Sequence, residues 1–243
     1  NAMAEIINDI NVDIIAFQEI RKIAWFDKLM TMLPDYDYII SQNSSFLNQA
    51  FIFKKDHFSF IRQREPFSDE DYNFARRPPL RLDLLTTYKN LNIPISLLNL
   101  HMKCCDSGLQ RRKKASQMLY NYIENEIDEY SYSNFIVLGD WNDDLRDKEG
   151  EHCFQPFMLD EKYYFLTDRI DDIPENATYP KEPYVSFLDH IMTTNDFIDL
   201  ENPNVHVETV MIEDYIGGYN IYELLLSDHR AVMFSIPFVD LSK

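Results

Sequence analysis

The sequence predicts a mixed α/β domain built in layers. Strand-like apolar runs outnumber helix-like ones, and helices recur between the strands. The chain has 243 residues, 45% of them hydrophobic, which is enough for one sizeable core. No repeat, low-complexity stretch or linker divides it, so residues 3–243 read as one domain. Asn1 and Ala2, ahead of Met3, have the form of a tag remnant, behind which a native leader could have been removed.

The elements follow from local pattern. Met3 to Asn11 places Ile6, Ile7 and Ile10 on one side, as an amphipathic helix does. Asp13 to Phe17 is a short apolar strand running into Gln18-Glu19. Trp25 to Leu33 reads as a helix stopped by Pro34. Strands are expected at Tyr36–Ile40, Ala50–Phe53 and His57–Arg62, then a long pair at Leu80–Thr87 and Ile93–Leu100. Gly108 to Tyr130 suits a surface helix. Phe135 to Leu138 is a buried strand ending at Gly139-Asp140. Val185–Met192, Val205–Met211 and Ala231–Ile236 are further strands, with Gly217-Gly218 a turn.

Bulk charge narrows the partners. A net charge of -18 argues against metal-free binding to DNA, because phosphate neutralisation dominates such affinity. It leaves a phosphate substrate open, since a bound cation inverts the local field. No apolar run is long enough for a membrane helix. Three cysteines cannot all pair, and adjacent ones such as Cys104 and Cys105 rarely bond to each other. Reduced thiols favour the cytoplasm. The run HMKCCDSGLQRRKK, from His101 to Lys114, is the basic cluster of an acidic chain. It reads as a solvated helix start or as a phosphate-facing loop, the former being the more common case.

Several apolar runs end abruptly in polar residues: IIAFQE, LLNLH, FIVLGDWND, FLDH and LSDH. A strand gives rigid support, and its tip lies at the sheet edge where α/β proteins place their sites. Each tip has a bland reading. Glu19 suits the start of a helix. Asp140 with Asn142 suits an Asx turn, and Asp143 and Asp144 read as turn residues only. Asp228-His229 suits a capped helix end, and a lone His101 is more often structural than catalytic. Five such tips together are harder to assign to turns alone. Mg²⁺ prefers carboxylate and phosphate oxygens, and histidine titrates nearest working pH.

Taken in order, Gln18-Glu19, Asn99-His101, Gly139-Asp143, Leu188-Ile191 and Ser227-His229 resemble the endonuclease/exonuclease/phosphatase superfamily, the deoxyribonuclease I-like metal-dependent phosphoesterases. Phe74-Pro79 (FARRPP) resembles the arginine-proline segment of that family, and the resemblance spans about residue 12 to residue 236. It implies a four-layer α-β-β-α sandwich and hydrolysis of phosphate esters with Mg²⁺ or Mn²⁺ as cofactor. It implies Glu19 as the metal carboxylate and Asp228 as a further acid near the metal. Asp140 would orient or deprotonate water, and Asn142 would hold a phosphate oxygen. His229 would stabilise charge or act as base, fixed by Asp189, with His101 near the leaving group. Arg76 would contact phosphate, with Arg77 as the alternative. The substrate would be nucleic acid, a phospholipid headgroup or a soluble phosphodiester, and no obligate protein partner is evident. The family opens with a strand carrying an asparagine; Asn8 and Asn11 do not replace it. The first core strand is therefore expected to be absent, and a weak or inactive scaffold on the same fold is the alternative reading.

Overall fold

The computed structural model describes residues 2–88, 90–130, 133–194 and 205–236. Along the chain run α1 (Ala2–Ile10), β1 (Ile14–Ile20), α2 (Ile23–Met30), β2 (Tyr36–Ile40), β3 (Asn48–Lys54) and β4 (Ser59–Arg64). Next come β5 (Leu80–Tyr88), β6 (Leu91–His101), α3 (Leu109–Tyr130), β7 (Phe135–Asp140), α4 (Gln155–Met158) and β8 (Tyr163–Phe165). The chain continues with β9 (Asp189–Thr194), β10 (His206–Val210), α5 (Glu213–Ile216), α6 (Tyr219–Leu225) and β11 (Ala231–Ser235).

Three apolar clusters separate four layers. Ala4, Ile7, Phe26 and Leu29 of α1 and α2 pack on Ala50 and Ile52 of β3. Phe51 and Phe53, on the opposite face of β3, meet Leu80, Leu82, Leu84, Ile95 and Leu97 of the next sheet. The far face of that sheet, through Leu98, Leu100, Phe135 and Val137, packs on Ala115, Leu119 and Ile123 of α3. Period-two alternation along β3, β5 and β6 thus serves a different core on each face. The result is an α-β-β-α sandwich.

The inner sheet has six strands in the order β4-β5-β6-β7-β9-β8. β6 and β7 run parallel through the α3 crossover, while β7 and β9 are antiparallel. The other sheet layer is in two pieces: β1-β3-β2 and the β10-β11 hairpin. Ile14 and Ala16 from the first and Val232 and Phe234 from the second pack on the same inter-sheet core. Among the described residues no strand joins β1 to β11.

Some expected elements shift. The strand expected from Val185 begins only at Asp189, because residues 185–188 approach it as a loop. Gly217-Gly218 is a turn, as expected, but it joins two short helices that were not expected, and neither was β8.

Candidate active site

Register places the site. His101 ends β6 opposite Asp140 of β7, and Asp140 lies opposite Asp189 of β9. The three therefore form one row across adjacent strands. Alternation turns all three toward the second sheet, because Leu97, Ile136 and Ile191, an even number of residues away, face the inter-sheet core. Asp189 starts its strand rather than ending one; β9 runs against β7, so the start of one meets the end of the other.

Gly139 permits the close approach of β6 and β7. Its φ is +126°, and a Cβ there would stand 2.3 Å from the Leu100 carbonyl oxygen. On β1, residues 18 and 19 bulge between the Phe17–Ala50 and Ile20–Asn48 pairs, and Glu19 takes a left-handed φ of 58°. That bulge sends the Glu19 carboxylate toward the row: its Oε1 lies 3.6 Å from His101 Nε2, which is 3.4 Å from Asp140 Oδ2. Buried Asn99 locks the arrangement. It accepts from Gln18 Nε2 at 2.7 Å and donates to the carbonyls of Phe17 and Ala50 at 2.9 and 3.1 Å.

His229, in the loop before β11, completes the cluster. Its Nδ1 lies 2.7 Å from Asp189 Oδ2, and its ring packs on Tyr179. The Tyr222 hydroxyl donates to its carbonyl oxygen at 2.6 Å. The hydroxyl oxygen of buried Thr178 accepts from the Asp189 amide at 3.2 Å and holds the other partner. Asn142, in the turn after β7, donates through its amide nitrogen to Asp140 Oδ2 at 2.6 Å and through its backbone to Oδ1 at 2.9 Å. This is the Asx turn expected at Asp140-Asn142.

The electrostatics divide these groups. Burial weighs against a charged His229, yet the charge and hydrogen bond of Asp189, helped by Asp140 and Asp228, raise it to about 10. Desolvation weighs on its half-buried partner Asp189 too, but the imidazolium holds it below the usual carboxylate range. Burial, then the Asp189 charge, lifts Asp140 to about 7. Burial and the cations of Arg77 and His229 press His101 down to about 3, so its imidazole is neutral.

Other expected residues fall elsewhere. Arg76 is exposed and pairs with Asp71 at 2.8 Å, outside the cluster. Arg77 is buried and donates to the carbonyls of His101 and Met102 at 3.0 and 2.6 Å. Asp228 is exposed, with its carbonyl oxygen accepting from Tyr219 at 2.6 Å. Among the described residues, the cluster of potential metal ligands within 4.8 Å of one another is Asp140, Asp189 and His229; Glu19 and Asp228 stand outside it. Asp143 is more than a turn residue, since it binds Arg112 at 2.8 Å. Arg111 lies over the Tyr72 ring, so both arginines of the basic run are engaged within the chain.

A sandwich with acids and imidazoles gathered at one edge of its facing sheets defines a class of proteins. The chain belongs to the Endonuclease/Exonuclease/phosphatase family, whose profile matches residues 1–229. Its fold is similar to that of D. rerio TDP2 complexed with single strand DNA product, at 17% identity, covering 97% of this chain and 90% of that one, with a TM-score of 0.67. A Bacteroides thetaiotaomicron mannosyl-6-phosphatase is 15% identical over 98% of this chain and 90% of its own, with a TM-score of 0.65. The human Nocturnin catalytic domain with bound sulfate anion is 15% identical over 98% and 84%, with a TM-score of 0.68. No curated protein sequence matches the chain.

Proposed function

We propose that this protein hydrolyses phosphate esters, a phosphodiester by preference, with Mg²⁺ or Mn²⁺ as cofactor. The observation that carries the reading is the His101–Asp140–Asp189 row with His229 bound to Asp189. The donor set suits a hard cation, because carboxylates of Glu19 and Asp140 both approach His101 Nε2. Glu19 would hold it, with Asp228 a more distant acid, and Asp140 stays free to act on water. Bound there, such an ion supplies Lewis acidity at a phosphoryl oxygen.

The chain's own groups divide the remaining work. Asp140, lifted to about 7, accepts the proton of the attacking water near neutral pH. His229, raised to about 10, is an imidazolium at that pH, so it neutralises phosphoryl charge rather than acting as a base. Asp189 keeps that ring oriented, the logic of a hydrolase triad. Neutral His101 stands beside the leaving alkoxide, and the Asn142 amide orients a phosphoryl oxygen. Arg77 replaces Arg76 as the buried cation that supports the row, acting through the His101 and Met102 carbonyls.

Hydrolysis of bis-p-nitrophenyl phosphate tests the reading. Turnover with Mg²⁺ or Mn²⁺ should vanish in EDTA and fall at least ~100-fold in both Asp140→Asn and His229→Ala. Turnover that survives the chelator or either substitution, or none on a panel of nucleic acid, phospholipid and soluble esters, overturns it.

A further inference from the structure

Cys104 and Cys105 lie in the loop between His101 and α3, and both are exposed. Side chains of adjacent residues in extended backbone point to opposite sides. Here Cys105 takes φ 68° and ψ 164°, and its sulfur comes within 3.1 Å of the Cys104 sulfur. Surrounding contacts hold this conformation. Arg112 donates to the carbonyls of Lys103 and Cys105 at 2.8 and 2.7 Å, and the Gly108 amide donates to the Cys105 carbonyl at 2.8 Å. Gly108 leaves room for the loop, because a Cβ there would sit 2.7 Å from the Lys103 carbonyl oxygen.

The two thiols are chemically unequal. Lys103 Nζ lies 3.2 Å from the Cys104 sulfur, and the Cys105 thiol donates to it. Partial burial opposes ionisation of Cys104, but that hydrogen bond, Lys103 and the charge of Arg77 hold it below the ordinary thiol range. Donating to Cys104 pushes Cys105 the other way. The Lys103 ammonium, beside one sulfur only, favours Cys104 as the nucleophile and Cys105 as the resolving thiol. Cys153 is buried, and burial pushes its thiol up, so it stays inert.

We propose that Cys104 and Cys105 form a dithiol site that a hydroperoxide oxidises to a vicinal disulfide beside the active-site row. The Cys104 thiolate attacks the peroxide, the O–O bond breaks, and a sulfenic acid forms as hydroxide, or its organic equivalent, leaves and takes up a proton. The Cys105 sulfur then attacks that of Cys104. The S–O bond breaks, water leaves with the Cys105 proton, and the S–S bond forms. Two electrons have passed from the sulfurs to the peroxide oxygens. The sulfurs close by ~1 Å to reach bonding distance.

Trypsin gives a direct test, because cleavage after Lys103 and Arg111 places both cysteines, without Cys153, on the peptide Cys104–Arg111. The reduced full-length chain is treated with one equivalent of hydrogen peroxide, alkylated and digested. The expected product is that peptide, unalkylated and lighter by two hydrogens, with Cys153 alkylated. Cys105→Ser should instead stop at a sulfenic acid that dimedone traps on Cys104. Lys103→Ala should slow the oxidation about threefold or more by lowering the thiolate fraction. Sulfinic acid without an intrapeptide bond, a cross-link to Cys153 or to a second chain, or an unchanged rate in Lys103→Ala overturns the proposal. The wild-type digest decides the matter even if a variant fails to fold.

Discussion

At the scale of single residues, the Asp189–His229 pair is a charge stored in the folded state. Folding raises His229 from 6.5 to about 10, so the native protein holds that proton more tightly than the unfolded chain does. The stabilisation is fully present below pH 6.5 and is lost as pH climbs through about 10. Urea midpoints should therefore decline over that window, and Asp189→Asn should flatten the decline while lowering stability at neutral pH. Equal slopes in the two proteins would show that other groups set the alkaline limit. Residue scale is also where sequence alone stops. Arg76 and Arg77 are neighbours in one motif, and only burial separates the exposed partner of Asp71 from the cation that holds the His101 and Met102 carbonyls. Thr178 carried no signal, because a threonine within a loop pattern does not reveal that its oxygen accepts the Asp189 amide.

At the scale of elements, two glycines isolate what the site demands of β6 and β7. Gly139 and Gly150 both have positive φ, but a Cβ at Gly150 meets nothing within 4 Å, whereas at Gly139 it collides with the Leu100 backbone. Gly150→Ala should cost about 1 kcal/mol, the conformational penalty alone. Gly139→Ala should cost ~3 kcal/mol or more, because two strands must part. Similar denaturation midpoints for the two variants would contradict the close packing. The long apolar strands β3, β5, β6 and β7 and the helix α3 were legible, since each buries a full apolar face or two. Three-residue β8 and the short helices α5 and α6 were not, being too brief for periodicity to emerge. The site motifs were visible as polar ends of apolar runs. That Asp189 opens its strand instead of closing it was hidden, because the direction of β9 is a pairing property.

For the whole molecule, the net charge of -18 opposes the approach of an anionic substrate. Added monovalent salt screens that repulsion, so kcat/KM for an anionic phosphodiester should rise roughly twofold from low salt to ~0.3 M. A steep fall would show that a local positive field governs encounter. Against that acidity, buried Arg77 and the His229 imidazolium place positive charge at the row itself. The row of His101, Asp140 and Asp189 has a further meaning. Its members are spaced by the pitch between hydrogen-bonded strands, about 4.8 Å, which no side-chain exchange alters. The chemistry is thus ruled onto the sheet like marks on a gauge, while the loops above are free to vary. Those loops can be rebuilt while the gauge beneath is left as it stands.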